Sequence, residues 1–166
     1  MSNSTSSSDQ AEVRELGLCL VTGATGFVGS HLAKTLAGRG LKVRGMVRNL
    51  SKPVCEELKE AGVELVEGDI TKPETLAPAF QGVQTVFHSA AVLGPAGLDH
   101  EIYRAVNAGS VTDVIEASRA AGTVERFIAV STVGVLGPLP PKTRADESTP
   151  PKPVDIYEIT KLEGEE

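Results

Sequence analysis

The sequence lacks the features of several large protein classes. It contains no run of the roughly 18 to 20 apolar residues that a membrane helix needs. Its net charge of −6 argues against a nucleic-acid-binding surface. The two cysteines, Cys19 and Cys55, provide neither a disulfide framework nor a metal-ligand spacing. Since the chain also has no nucleophile elbow, Walker lysine or paired carboxylates, hydrolase and kinase functions have no support. We therefore expect no membrane, nucleic-acid or metal partner.

The amino-terminal segment is polar and rich in serine. It lacks the apolar core of a secretory signal, so we expect a cytoplasmic protein whose residues 1–15 form a disordered tail. Residues 16–166 have the length and apolar content of one domain.

Apolar runs alternate with amphipathic stretches along the rest of the chain, which is typical of βαβ units. We predict strands at 18–22, 43–47, 63–67, 85–89 and 126–130. We predict helices at 27–38, 53–61, 73–80 (capped by Thr71) and 101–121 (ended by Gly122), and another that carries Tyr157. Right-handed crossovers favour an α/β doubly wound parallel sheet in the order 3-2-1-4-5, with a crevice at the carboxyl ends of strands one and four.

A glycine-rich loop, which runs from Gly23 to Gly29, follows the first strand. Gly23 allows a tight turn, Gly26 lets the backbone approach a pyrophosphate, and Gly29 allows close packing of helix and strand. The amino end of the following helix would attract the phosphates. We predict a nucleotide site here that includes Thr25, Phe27 and Val28.

The end of strand two indicates which cofactor binds. It has no acidic residue for a ribose 2′-hydroxyl, and Arg48 is placed for a 2′-phosphate, which favours NADP over NAD. Arg44 alternates into a different position and could be a solvated residue at the strand edge. Asp69 could reach the adenine together with Ile70, or it could instead be a turn or cap residue.

Tyr157 and Lys161 are four residues apart, so on a helix both would lie along one face. A lysine ammonium can favour the ionised form of a phenol whose ordinary pKa is about 10, which would make the tyrosine useful as an acid or base. Ser131 and Thr132 follow strand five, where a hydroxyl could position a substrate or could satisfy local backbone groups. Lys161 could also be an ordinary solvated lysine. His88 is expected to be a partly buried scaffold residue near the cofactor.

These motifs, in this order, resemble the extended short-chain dehydrogenase/reductases, the NAD(P)-dependent epimerase/dehydratase group. The matching residues are 22–29, 68–69, 88–91, 106–107, 131–137, 146–150, Tyr157 and Lys161. The resemblance implies a Rossmann-type domain in which Ser89, Ala90, Ala91 and Asn107 also bind cofactor. It further implies that Tyr157 is the acid/base, that Lys161 is its partner and binds the nicotinamide ribose, and that Thr132 is the catalytic hydroxyl residue. A small-molecule substrate and a homodimer are expected.

The chain departs from the family pattern in two ways. Val135-Leu136-Gly137 stands where the family has Val-Tyr-Gly, which favours an alcohol or ketone substrate over a nucleotide sugar. Family members also continue into further strands and a substrate domain, so we expect this chain to be the incomplete amino-terminal part. We predict hydride transfer between nicotinamide and an alcohol or ketone. The alternatives are a nucleotide-sugar epimerase or dehydratase and, in another class, a non-catalytic NAD(P)-binding fragment or sensor.

Overall fold

A computed structural model of the chain describes residues 16–94 and 97–166. The tail expected at 1–15 lies outside these described residues.

Five parallel strands form one sheet in the order β3-β2-β1-β4-β5, which confirms the predicted topology. The strands are β1 (Leu18–Thr22), β2 (Lys42–Val47), β3 (Glu64–Glu67), β4 (Thr85–His88) and β5 (Arg126–Ala129). The α-helices are α1 (Phe27–Gly38), α2 (Pro53–Glu60), α3 (Ala77–Phe80), α4 (His100–Arg104), α5 (Ser110–Ala121) and α6 (Ile156–Glu163). All five strands therefore end at one edge of the sheet.

The central strand β1 is covered on both faces. Cys19 and Val21 pack into the core cluster beneath α1 and α2, whereas Leu20 packs with α3 and α5 on the other face. This division follows from the alternation of side chains along a strand. Burial raises the pKa of the Cys19 thiol to about 11, which fits an inert structural cysteine.

The helix predicted at 73–80 is a 3₁₀ turn (Pro73–Thr75) followed by the short α3, and the prediction that Thr71 caps it is wrong. The N-cap residue of the 3₁₀ turn is Lys72, and its side chain makes no capping hydrogen bond. The Thr71 hydroxyl instead donates to the Asp69 carboxylate at 2.8 Å. The Thr71 hydroxyl thus bonds within the turn around Asp69 and does not cap the helix.

The helix predicted at 101–121 begins one residue earlier, where Asp99 accepts from the Glu101 amide, and contains a π-helical turn (Ala105–Gly109) between α4 and α5. Gly122 ends α5 in the left-handed conformation, at φ 68°, as predicted. A 3₁₀ turn after β5 (Val133–Leu136) was not predicted. In the described part of the chain, we find no helix with the length and apolar character needed to cross a bilayer.

The expectation that Arg44 is a solvated edge residue is also wrong. Its side chain is 12% exposed and its Nη1 donates to the carbonyl oxygens of Ala79 (3.0 Å) and Gln81 (2.8 Å). Its Nε lies 3.1 Å from the Glu64 carboxylate as an ion pair without hydrogen-bond geometry. Arg44 thus joins β2 to the turn after α3.

Candidate nucleotide site and catalytic helix

A cleft of about 330 Å³ opens at the carboxyl edge of the sheet. Its size falls within the range of small-molecule sites, roughly 300 to 1,000 Å³. Nine of the residues that the sequence assigns to cofactor binding line it: Gly23, Thr25, Gly26, Arg48, Asp69, Ile70, Ser89, Ala90 and Ala91. The structure therefore brings the ends of β1, β2, β3 and β4 together around one space.

The glycine loop lies directly against the backbone that follows β4. Gly23 has a φ of 67°, and a Cβ at this position would lie 2.8 Å from the Ala90 Cα. Only glycine therefore allows both the turn and the close approach. The Gly26 amide donates to the Gly23 carbonyl oxygen at 2.8 Å, which closes the turn.

The amino end of α1 has no side-chain cap, because Gly26 is its N-cap residue. Phe27 and Val28 in its first turn are 82% and 52% exposed. Backbone amides in the first turn of such a helix are suited to bind an anion. Gly29 lies on the inner side of the turn, where a Cβ would come within 2.9 Å of the Ser89 hydroxyl oxygen. The residues present thus fit a pyrophosphate group.

Basic and acidic side chains meet at the β2–β3 end of the cleft. Burial raises the pKa of the Asp69 carboxyl, but hydrogen bonds from Thr71 and the charges of Arg48 and Lys72 outweigh it, so the pKa is lowered overall. Lys52, which the sequence analysis missed, lines the cleft beside Arg48. The sequence does contain a signal for it, because Lys52 is a second basic residue four positions after Arg48, the residue predicted to bind the 2′-phosphate.

Asn107 lies in the π-helical turn rather than on the wall of the cleft. Its amide oxygen accepts from the Val92 amide (2.8 Å), and its Nδ2 donates to the Val92 carbonyl oxygen (3.1 Å) and to the Thr160 hydroxyl (3.2 Å). Since Val92 lines the cleft and Thr160 belongs to α6, Asn107 joins the cleft to the helix of Tyr157 and Lys161.

Lys161 is not a solvated lysine. It is 5% exposed, and its Nζ donates to the carbonyl oxygen of Val130 at 2.7 Å. Burial lowers the pKa of Lys161, while the Glu165 carboxylate partly offsets this effect. The structure thus places a buried ammonium at the end of β5.

Tyr157 is half-buried, and its electrostatics differ from the sequence-based expectation. Burial, together with the Asp155 carboxylate, raises the pKa of the Tyr157 phenol instead of lowering it. Because the Lys161 ammonium is directed to Val130, it does not favour the ionised phenol in this arrangement. The phenol is therefore protonated at neutral pH.

The hydroxyl groups after β5 already have hydrogen-bond partners within the chain. Thr132 Oγ1 accepts from the Gly134 amide at 3.2 Å and caps the 3₁₀ turn, and the Ser131 hydroxyl bonds to Glu165. Thr132 lines a second cavity of about 890 Å³, bounded also by the loop at 145–151 and the end of α6. The structure does not bring Thr132 into the cleft of the glycine loop.

His88 is the last residue of β4 and is 1% exposed, so it is more deeply buried than expected. Its Nδ1 lies 2.9 Å from the Thr22 hydroxyl oxygen, and its ring stacks on Phe127 with centroids 6.1 Å apart. Burial, with a smaller effect of the Lys161 charge, lowers the pKa of His88 to about 4. The imidazole is therefore neutral at physiological pH.

Comparison with known sequences agrees with this geometry, since residues 19–166 match the NAD dependent epimerase/dehydratase family. The chain belongs to this family. A family relative in Mycobacterium tuberculosis, a 3β-hydroxysteroid dehydrogenase/Δ5→4-isomerase, is 36% identical over 95% of the chain and 43% of its own length. A 4-hydroxy-2-methyl-3-oxo-4-farnesyl-3,4-dihydroquinoline-1-oxide ketoreductase of Stigmatella aurantiaca is 34% identical over 88% of the chain and 43% of its own length.

The fold is also that of solved family structures. A short-chain dehydrogenase/reductase superfamily protein from Agrobacterium tumefaciens, with bound NAD, has a TM-score of 0.75 and 33% identity over 89% of the chain and 43% of its own. The chain thus spans less than half the length of each of these three proteins.

The glycine loop makes a testable prediction. Gly26→Val should weaken NADPH and NADH binding at least about tenfold, because a bulky side chain would occupy the space where the backbone approaches the pyrophosphate. Its backbone (φ −82°, ψ 172°) accepts a side chain, although a Cβ would lie 3.2 Å from the Gly23 carbonyl oxygen. Gly38→Val is the control, since a Cβ there meets no atom within 4 Å. Fluorescence titration measures both, and equal affinity in the two variants would contradict the assignment.

The buried imidazole predicts a pH-dependent stability. Because the pKa of His88 is about 4 in the folded chain against an ordinary value of 6.5, its contribution is complete above pH 6.5 and is lost as the pH falls toward 4. The full loss is at most about 3 kcal/mol. Urea unfolding between pH 7 and 4 should show a steeper decline for the native chain than for His88→Gln. Parallel curves would show that His88 does not titrate as stated.

Proposed function

We propose that this chain is the cofactor-binding part of an NAD(P)-dependent oxidoreductase that acts on an alcohol or ketone. The observation that carries the proposal is the convergence at one sheet edge of the glycine loop, the basic pair Arg48 and Lys52, and the anchored end of β5 beside Lys161. Nicotinamide cofactors supply hydride chemistry when bound, and the protein supplies binding, orientation and proton transfer.

Proton transfer is assigned to Tyr157. A phenol with a raised pKa is protonated at neutral pH, so it can donate its proton to a carbonyl oxygen as that oxygen gains charge. Lys161 would hold the nicotinamide ribose and Thr132 would orient the substrate. The Thr132 hydroxyl accepts from the Gly134 amide and still has its own hydrogen to donate.

NADP is the preferred cofactor in this proposal. Two cations, Arg48 and Lys52, line the β2 end of the cleft, where a ribose 2′-phosphate would lie. The end of β2 has no acidic residue to accept from a 2′-hydroxyl, and Asp69, which accepts from Thr71 on one carboxylate oxygen, stands at the end of the next strand. NAD remains the alternative, in keeping with the NAD bound to the Agrobacterium protein.

Two other functions are consistent with the fold. An epimerase or dehydratase of nucleotide sugars would begin with the same hydride transfer, and family membership supports it equally. Leu136, at the position where the family motif has tyrosine, favours the alcohol or ketone substrate. A non-catalytic NAD(P)-binding module would need the cleft but not Tyr157 and Lys161.

Removal of the 2′-phosphate contacts tests the cofactor preference. Arg48→Ser and Lys52→Ser should each weaken NADPH binding to the chain about 10- to 100-fold, the equivalent of one charge-assisted hydrogen bond, and leave NADH binding unchanged. Arg39→Ser removes the same charge at an exposed residue after α1 and should change neither. An equal loss for both cofactors would refute the NADP assignment.

Replacement of Tyr157 tests the reaction. In the full-length protein, Tyr157→Phe should lower kcat for NADPH-dependent reduction of a panel of ketones at least about 100-fold, because the acid is lost. NADPH affinity should not change. Tyr103→Phe removes the other tyrosine hydroxyl of this chain, which bonds to Gly94, and should retain turnover. Full turnover by Tyr157→Phe would exclude its role as the acid.

A further inference from the structure

His88 has one ring nitrogen that the described fold satisfies and one that it does not. Nδ1 contacts the hydroxyl of Thr22, the last residue of β1. Nε2 is buried and has no hydrogen-bond partner among the described residues. An unpartnered polar atom in a buried site costs free energy, so its retention needs an explanation.

The Nδ1 side of the ring is tied to the glycine loop. The Thr22 hydroxyl also accepts from the Ala90 amide at 3.3 Å, and the Thr22 carbonyl oxygen accepts from the Ser89 hydroxyl at 2.7 Å. Thr22 immediately precedes Gly23, whose turn packs on Ala90. The ring is thus fixed by the same contacts that shape the cleft.

Lys161 is also connected to His88, through the backbone of Val130. The Val130 amide donates to the His88 carbonyl oxygen at 2.9 Å, and the Val130 carbonyl oxygen accepts from Lys161 at 2.7 Å. The Lys161 charge acts on the imidazole. Nδ1 is the ring nitrogen that contacts β1, and β5, which leads into Val130, flanks β4 on its other side.

We propose that His88 is a positioning residue for Lys161: its proton lies on Nδ1, donated to Thr22, and its Nε2 presents a lone pair toward the Lys161 ammonium. The charge favours this tautomer, because an ammonium attracts a lone pair and repels an N–H group. An ammonium has three donors, and the one hydrogen bond to Val130 leaves two that benefit from a neighbouring acceptor. The imidazole thereby stabilises a cation that burial alone would disfavour.

This role goes beyond the proposed function, and it contributes to turnover through the part that the proposed function gives Lys161. Two charged groups enter the test, Lys161 itself and the Glu165 carboxylate, which raises the pKa of Lys161. Both are present in the cofactor-free chain. The titration of Lys161 therefore tests the proposal independently of any cofactor or substrate.

The experiment is NMR of the 166-residue chain without cofactor. Long-range ¹H–¹⁵N spectra should show an unprotonated Nε2 at pH 7, and lysine labelled at ¹³Cε should show that the pKa of Lys161 is lower than that of the exposed lysines. His88→Leu should lower the pKa of Lys161 further, by about one unit, whereas His88→Gln, whose amide oxygen can face the ammonium, should restore it. Glu165 is unchanged in all three chains and serves as a constant background.

A reciprocal variant keeps the test decisive if His88→Leu does not fold. Lys161→Met should raise the pKa of His88, because the neighbouring positive charge is removed. A proton on Nε2 at pH 7, the same Lys161 titration in both His88 variants and the native chain, or a His88 pKa unmoved in Lys161→Met would each overturn the proposal. Failure of NADPH binding alone would contradict the proposed function and leave this result standing.

Discussion

The site depends on one close contact, the approach of the Gly23 backbone to Ala90. It holds the loop after β1 against the segment after β4, so the two central strands end in a shared wall. The bonds that join Thr22 to Ser89 and Ala90 reinforce it. A side chain at position 23 would need the left-handed conformation and would meet backbone that cannot move aside. The contact between Gly23 and Ala90 thereby fixes the position of the amino end of α1, where the backbone amides could bind an anion.

The sequence was sufficient to predict the strand order, because each strand is a short apolar run and right-handed crossovers leave few topologies. Nine of the residues that it assigns to cofactor binding line the cleft, since parallel strands end at the same edge. It did not predict Arg44, whose partners Ala79 and Gln81 lie more than thirty residues away and are backbone carbonyls that carry no sequence signal. Lys52 was missed because only the first basic residue after β2 was considered.

The sequence was least informative about protonation. The spacing of Tyr157 and Lys161 predicts a shared helix face, which α6 provides, but spacing does not determine where a flexible ammonium points or how deeply it is buried. In the structure, desolvation is the largest influence on both groups, and it acts against the charged form of each. Because a pKa shift is the difference between a burial penalty and nearby charges, it can be read only from coordinates. The motif identifies Tyr157 and Lys161, but it does not show whether burial or nearby charge has the larger effect on their pKa values.

This balance has a consequence for how the site would work. The Lys161 ammonium donates one hydrogen bond to Val130 and keeps two further donors, and the Thr132 hydroxyl accepts from Gly134 and keeps its own hydrogen to donate. A ligand could therefore bond to either group without displacing its backbone partner, provided that the ligand reaches the free donors. In the proposed function, the hydroxyl groups of a nicotinamide ribose would bond to Lys161 in this way, and a substrate oxygen would bond to Thr132. The proposed catalytic arrangement would then be completed by cofactor and substrate while the backbone bonds of Lys161 and Thr132 are kept.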